Sequence, residues 1–180
     1  NYGRINKTSL VRWSTDGTRI LPGVAKSWSS SSNGKVWTWN LREGMRWSDG
    51  VPLTADDYIF QYEDVIGNDV ISIPTEKRGG NRLGVVEKVD DFTITMTFDE
   101  PNHNFLEVLS QTDTPGFLNP GWQSGIPYSP RHYISQYLPK YADGGEAALD
   151  KQAKEAGLEG WGNSSSRNSA RLTDPPTDHR

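Results

Sequence analysis

Carboxylates crowd one stretch of the chain, with Asp49, Asp56, Asp57, Glu63 and Asp64 close together in sequence. Such a cluster is the raw material for a hard-cation site or a general acid/base pair. The local pattern favours a plainer reading. No Asp-x-Asp-x-Asp-Gly loop surrounds them, Asp49 falls in the turn Ser48-Asp49-Gly50, and Asp56 and Asp57 follow Thr54, where negative charge complements a helix N-terminus. They are read as turn and capping charges. His103 and His132 are far apart and outside any His-x-x-x-His or Glu-x-x-His pattern, so no metal is expected, and no cofactor.

Serine is abundant, yet no Gly-x-Ser-x-Gly elbow or Ser-x-x-Lys pair is present. Gly79-Gly80 and Gly144-Gly145 lack the lysine and the strand-to-helix setting of a phosphate loop. Asn6-Lys7-Thr8 and Asn163-Ser164-Ser165 match a glycosylation sequon, a triplet too permissive to carry weight alone. Tryptophan is the more informative residue, because an exposed indole face can stack on a sugar ring or another flat ligand. Trp37 and Trp39 alternate with polar residues and are assigned to the buried face of a strand. Trp122 lies in a Gly/Pro-rich segment, where exposure to solvent or to a ligand is as reasonable as burial.

The elements that must hold these residues follow from pattern. Ser9 to Trp13 reads as a short strand, followed by turn chemistry at Thr15 to Thr18. Val24 to Trp28 reads as a second strand, with Val24, Lys26 and Trp28 sharing a face. Asn33-Gly34 predicts a hairpin turn with positive φ, and the return strand places Trp37, Trp39 and Leu41 on one face and Val36, Thr38 and Asn40 on the other. After the bend Arg42-Glu43-Gly44 and the turn Ser48-Asp49-Gly50, Thr54 is the expected N-cap of an amphipathic helix. Tyr58, Ile59, Tyr62, Val65 and Ile66 recur along it at helical spacing, Gln61, Glu63 and Asp64 are turned to solvent, and Gly67-Asn68 ends it.

Leu83 to Val89 and Phe92 to Phe98 predict a second hairpin, with Ile94, Met96 and Phe98 on one face. Asn104 then caps a helix carrying Phe105, Leu106, Val108 and Leu109. Residues 67–83 and 111–128 read as long loops. Pro130 opens a helix running to Tyr137, and a last helix spans Gly145 to Ala156. From Asn163 to Arg180 only Leu172 is a sizeable apolar residue, so this tail is expected to be disordered, or ordered only against something missing here. The fold class is α+β, antiparallel hairpins packed with helices.

At 180 residues the chain suits one domain, and seven Trp, seven Tyr and five Phe make its core aromatic. A net charge of -4 with both signs scattered offers no basic stripe for nucleic acid and no polybasic run for a membrane. No apolar run approaches the roughly 20 residues of a membrane helix. The absence of cysteine removes disulfides, thiolate metal sites and cysteine nucleophiles, and leaves the compartment open.

The segment LPGVAKSW, the turn after it, and GKVWTWNLREGMRWSDGVPLTADDYIFQYEDV closely resemble the family 5 extracellular solute-binding proteins, the oligopeptide, dipeptide and nickel receptors of bacterial ABC importers. The positions that carry the resemblance are Pro22, Ala25, Trp28, Leu41, Arg42, Gly44, Asp49, Gly50, Pro52, Thr54, Ala55 and Asp57. VVEKVDDFTITMTFDEP and the helix start Pro130-Arg131-His132 extend it from about Ser9 to Trp161. The resemblance implies part of a lobe of a type II periplasmic-binding-protein-like fold. Residues 1–162 correspond to the N-terminal lobe, chiefly its small α+β subdomain, and 163–180 to a tail without counterpart.

Family members are much longer, so the chain is expected to be a fragment. By resemblance the intact protein is a monomeric, non-catalytic receptor for peptides or another small solute. It partners an ABC permease in a periplasmic or extracellular setting, and any membrane attachment lies in an anchor or permease outside this chain. Residues that clamp ligand in the family come mostly from parts not represented here. Trp122, Gln123 and Tyr128 are the ligand-binding candidates, as loop residues on a rigid scaffold. The competing reading is a Trp-rich carbohydrate-binding module of a larger enzyme. A carboxylate-dependent hydrolase is a third reading, and it needs paired acids in a cleft.

Overall fold

The structure, a computed structural model, describes residues 9–66, 85–110 and 128–162. The expected loop 67–83, most of 111–128 and the tail 163–180 lie outside these residues. A short ribbon opens the fold, with β1 (Val11–Trp13) antiparallel to β2 (Ile20–Pro22). Its turn is fixed by Asp16, whose Oδ1 accepts from the Thr18 amide at 3.1 Å and from the Thr18 hydroxyl at 2.8 Å.

The strands β3 (Ala25–Ser30) and β4 (Val36–Leu41) form the first expected hairpin, and β5 (Val85–Asp90) and β6 (Thr93–Thr97) the second. The two join edge to edge through β4 and β6 into one antiparallel sheet of order β3-β4-β6-β5. Along β4, buried residues alternate with half-buried ones as the period of two requires. Trp37, Trp39 and Leu41 face inward beside Ile94, Met96 and Phe98. The Trp37 and Trp39 rings stack at 6.0 Å, and Phe105 meets both edge-on. With 6% and 0% of their surfaces exposed, these indoles cannot serve as a sugar platform.

Two strand details correct the sequence expectation. A bulge in β3 leaves Lys26 unpaired between Ala25, opposite Leu41, and Ser27, opposite Asn40. Val24 and Ala25 are therefore both buried, and Lys26 is exposed instead of sharing a face with Val24 and Trp28. In the hairpin turn only Gly34 has positive φ, at 67°, and its amide donates to the Ser31 carbonyl at 2.9 Å. Asn33 stays at negative φ, and its Oδ1 accepts from the Lys35 amide.

The helix α1 (Ala55–Phe60) starts after Thr54 and continues as a π-helix over Gln61–Ile66. Ala55 and Tyr58 are buried against the sheet, with Ile59 and Tyr62 partly buried there. Phe60 points elsewhere, into a second apolar cluster with Ile134, Leu138, Leu149 and Trp161. That cluster is built by α3 (Arg131–Ile134), its 3-10 continuation Ser135–Tyr137, and α4 (Gly145–Glu155). So α1 lies between two cores rather than presenting one apolar stripe. Asp64 is also not turned to solvent: Lys140 Nζ and the Tyr141 hydroxyl both reach it at 2.8 Å. The remaining helix, α2 (Phe105–Ser110), buries Phe105 and Leu109 in the first core, beside β1.

Candidate functional site

The polar residues that look most like chemistry converge at the N-terminus of α1. A tight loop brings them there: Trp47 N–H donates to Val51 O at 2.8 Å, Gly50 N–H to Trp47 O at 2.9 Å, and Leu53 N–H to Met45 O at 2.9 Å. Gly50 takes φ of 89°, and Asp49 Oδ1 accepts from the Val51 amide at 3.0 Å. This loop projects Trp47 over the first turn of α1.

Asp57 is the centre of the arrangement, 4% exposed. Thr54 and Asp57 face each other as a capping box, whose stronger half is the Thr54 amide donating to Asp57 Oδ2 at 3.0 Å. The same oxygen accepts from Trp47 Nε1 at 3.2 Å, and Oδ1 accepts from the Arg131 amide at 3.0 Å. The Asp57 carbonyl accepts from the Ser129 amide at 3.2 Å. One buried residue thus ties the loop 45–53, the start of α1 and the segment leading into α3.

Around it, Tyr128 packs between Tyr58, 5.0 Å away between ring centroids, and Trp47, 5.6 Å away. His132 Nε2 lies 2.6 Å from Asp49 Oδ2, closing the cluster on its half-exposed side. Burial pushes the Asp57 carboxyl up, and the Thr54, Arg131 and Trp47 donors only partly oppose it. Burial acts upward on Asp49 as well, but the Val51 amide and His132 outweigh it and hold that carboxyl below its usual value. The Tyr58 hydroxyl is pushed far up by burial, with Tyr128 and Asp57 adding to the effect.

This geometry positions chain segments. Asp57 is occupied by main-chain amides and an indole, and the Asp49–His132 pair faces the ring of Trp47 at 6.4 Å. Among the described residues no group of three or more His, Cys, Asp or Glu side chains is placed to hold a metal ion. Asp49 and Asp57 occupy the turn and capping positions expected of them, and Asp56 pairs with Lys88 at 3.0 Å. Of the ligand-binding candidates, Trp122 and Gln123 lie outside the described residues. Tyr128 is described, and its ring is buried in the first core. Sequence reasoning missed the reach of Asp57: Thr54 signals a cap, but no local pattern signals a partner at Arg131, 74 residues away.

A family model described as bacterial extracellular solute-binding proteins, family 5 Middle, matches residues 19–152. The periplasmic alpha-galactoside-binding protein of Rhizobium meliloti (strain 1021) is 32% identical over 138 residues, covering 74% of this chain and 18% of that protein. The periplasmic oligopeptide-binding protein OppA of Escherichia coli (strain K12) is 34% identical over 111 residues, covering 52% of this chain and 20% of that protein. A solved oligopeptide-binding protein OppA superposes with a TM-score of 0.71 at 31% identity, covering 93% of this chain and 24% of that one. The chain spans about a fifth of the length of the relatives it matches.

Proposed function

Because this chain belongs to the family 5 bacterial extracellular solute-binding proteins, we propose that it forms part of the substrate-binding component of an ABC importer, with peptides or another small solute as ligand. The observation that supports this reading best is the superposition on a solved OppA with a TM-score of 0.71 at 31% identity. In this reading residues 1–162 are the N-terminal lobe portion, mainly its small α+β subdomain, and 163–180 a polar tail. Ligand binding closes lobes of the intact protein about a hinge, and no bond is broken. The relatives are periplasmic by name, and we place the intact protein there as a monomer that delivers ligand to a permease, with a lipid anchor as a further option.

The Asp57 cluster fits a scaffold role in such a receptor. Relatives named for an alpha-galactoside and for oligopeptides resemble this same region, so a scaffold here is compatible with either ligand class. Trp122 and Gln123 remain our candidates for ligand contact, whereas Tyr128, its ring buried between Trp47 and Tyr58, is assigned to the scaffold. Isothermal titration calorimetry tests the reading. The intact protein is expected to bind a peptide or an oligosaccharide tightly, and residues 1–180 alone to bind neither. Tight binding by residues 1–180 alone refutes the view that the gripping residues lie elsewhere, and a tryptophan fluorescence response to oligosaccharides alone revives the carbohydrate-binding module.

A further inference from the structure

The helix after Thr54 changes its winding at the point where it passes from one core to the other. Over Ala55–Phe60 it is α-helical, and over Gln61–Ile66 it is a π-helix, with bonds reaching one residue further along the chain. The wider turn has a packing consequence. Phe60 and Val65, five residues apart, both join the second core, while Tyr58 and Tyr62, four apart, serve the first. With α winding, Asp64 takes the place beside Phe60, which would put a carboxylate into an apolar cluster and swing Val65 away.

The wider turn is held from outside. The Ser129 hydroxyl donates to Gln61 Oε1. Asp64, its side chain only 12% exposed, accepts from Lys140 Nζ and from the Tyr141 hydroxyl, each at 2.8 Å. All three tethers come from the segment 128–141, which also contributes Tyr133, Ile134 and Leu138 to the second core. Glu63, within the turn, is exposed.

We propose that Gln61–Ile66 is a register device: docking of the 128–141 segment holds these residues in a π-turn, and release of that segment lets the helix rewind as α. The position of the second core is thereby coupled to the winding of the helix that supports the first. The turn accommodates one additional residue, so removing an exposed residue from it converts Phe60 and Val65 into an i, i+4 pair that still shares a face.

The test combines untethering with deletion in the intact protein. In an Asp64→Ala/Ser129→Ala variant the crystal structure is expected to show i→i+4 bonds through residue 65, and the amides of 61–66 to change exchange rate at least tenfold while those of β4 and β6 do not. A π-turn retained in that variant overturns the proposal. Deletion of Glu63 covers the case in which the untethered variant does not fold. The deletion chain is expected to unfold cooperatively within about 5 °C of the parent and to show a continuous α-helix. A deletion chain that fails to fold, or that keeps the π-turn, overturns the proposal as well.

Discussion

Replacing Asp57 is the sharpest test of the polar cluster, because its carboxylate is shared by three donors from separate parts of the chain: the Thr54 amide, the Trp47 indole and the Arg131 amide. Asp57→Ala strands all three in a site where the residue they served is 4% exposed. Each buried donor left unpaired costs about 1–3 kcal/mol. Two effects reduce the sum: the variant no longer desolvates a charge, and Trp47 is only half-buried, so water can reach it. The net expectation is a loss of about 3–5 kcal/mol, comparable to breaking a buried ionic contact. Asp57→Asn keeps one acceptor oxygen but turns an amide NH2 toward a donor, and about 2–3 kcal/mol is expected.

Urea unfolding followed by tryptophan fluorescence and far-ultraviolet circular dichroism measures both variants. The pH dependence supplies an independent check. Burial raises the folded-state pKa of Asp57 above 3.8, so the folded chain holds this proton where the unfolded chain has released it. Ionisation therefore costs stability as pH rises through that window, and the advantage of wild type over Asp57→Asn should be widest at the acid end and narrow toward neutrality. An Asp57→Ala variant within about 1 kcal/mol of wild type at pH 7 refutes the reasoning, since the donors would then have found other partners.

Other perturbations separate backbone from side-chain causes. Gly23→Ala places a Cβ 2.2 Å from Ser9 O and 3.0 Å from Leu10 O, so a loss of about 3 kcal/mol in urea unfolding is expected from overpacking against main chain. Asp49 has a lowered folded-state pKa, so its contribution is present above 3.8 and lost as pH falls through the folded value; Asp49→Asn should be less stable than wild type at neutral pH and converge with it on acidification. Arg131→Ala keeps the amide that Asp57 needs and should stay within about 0.5 kcal/mol of wild type. Arg131→Pro sits at the first position of α3, where proline is otherwise tolerated, so its expected loss of about 1.5–3 kcal/mol isolates the missing amide. Trp39→Ala, at a fully buried position, should cost about 3–5 kcal/mol by thermal or urea unfolding.

What could be read in the sequence was what adjacent residues decide. Alternation in 36–41 and 93–97 gave the inward faces of both hairpins, Thr54 gave the helix start, and Gly34 and Gly50 gave turns that the structure realises with positive φ. The joining of the hairpins through β4 and β6 was not legible, because each strand's pattern is satisfied whichever neighbour lies at its open edge. The bulge at Lys26 was hidden for a related reason. A lysine between Ala25 and Ser27 fits an alternating strand until the pairing with β4 is known. Phe60 falls outside the helical-spacing set Tyr58, Ile59, Tyr62, Val65 and Ile66, and its place in a second core becomes visible only once α3 and α4 are present.

The polar cluster follows the same division, and that explains why its residues resembled chemistry when met singly. A carboxylate near a tryptophan and a histidine has the composition of a reactive site, but composition does not say what the carboxylate accepts. Here two of the three hydrogen bonds to the Asp57 side chain come from main-chain amides, and main-chain amides are supplied by any residue except proline. The arrangement therefore specifies the path of the chain at 54 and 131 while leaving the Arg131 side chain free of that duty. Trp47 is recruited to the Asp57 carboxylate by its side chain, ten residues away in sequence. A cluster built this way constrains where the segments at 54 and 131 lie, whatever side chain follows Pro130.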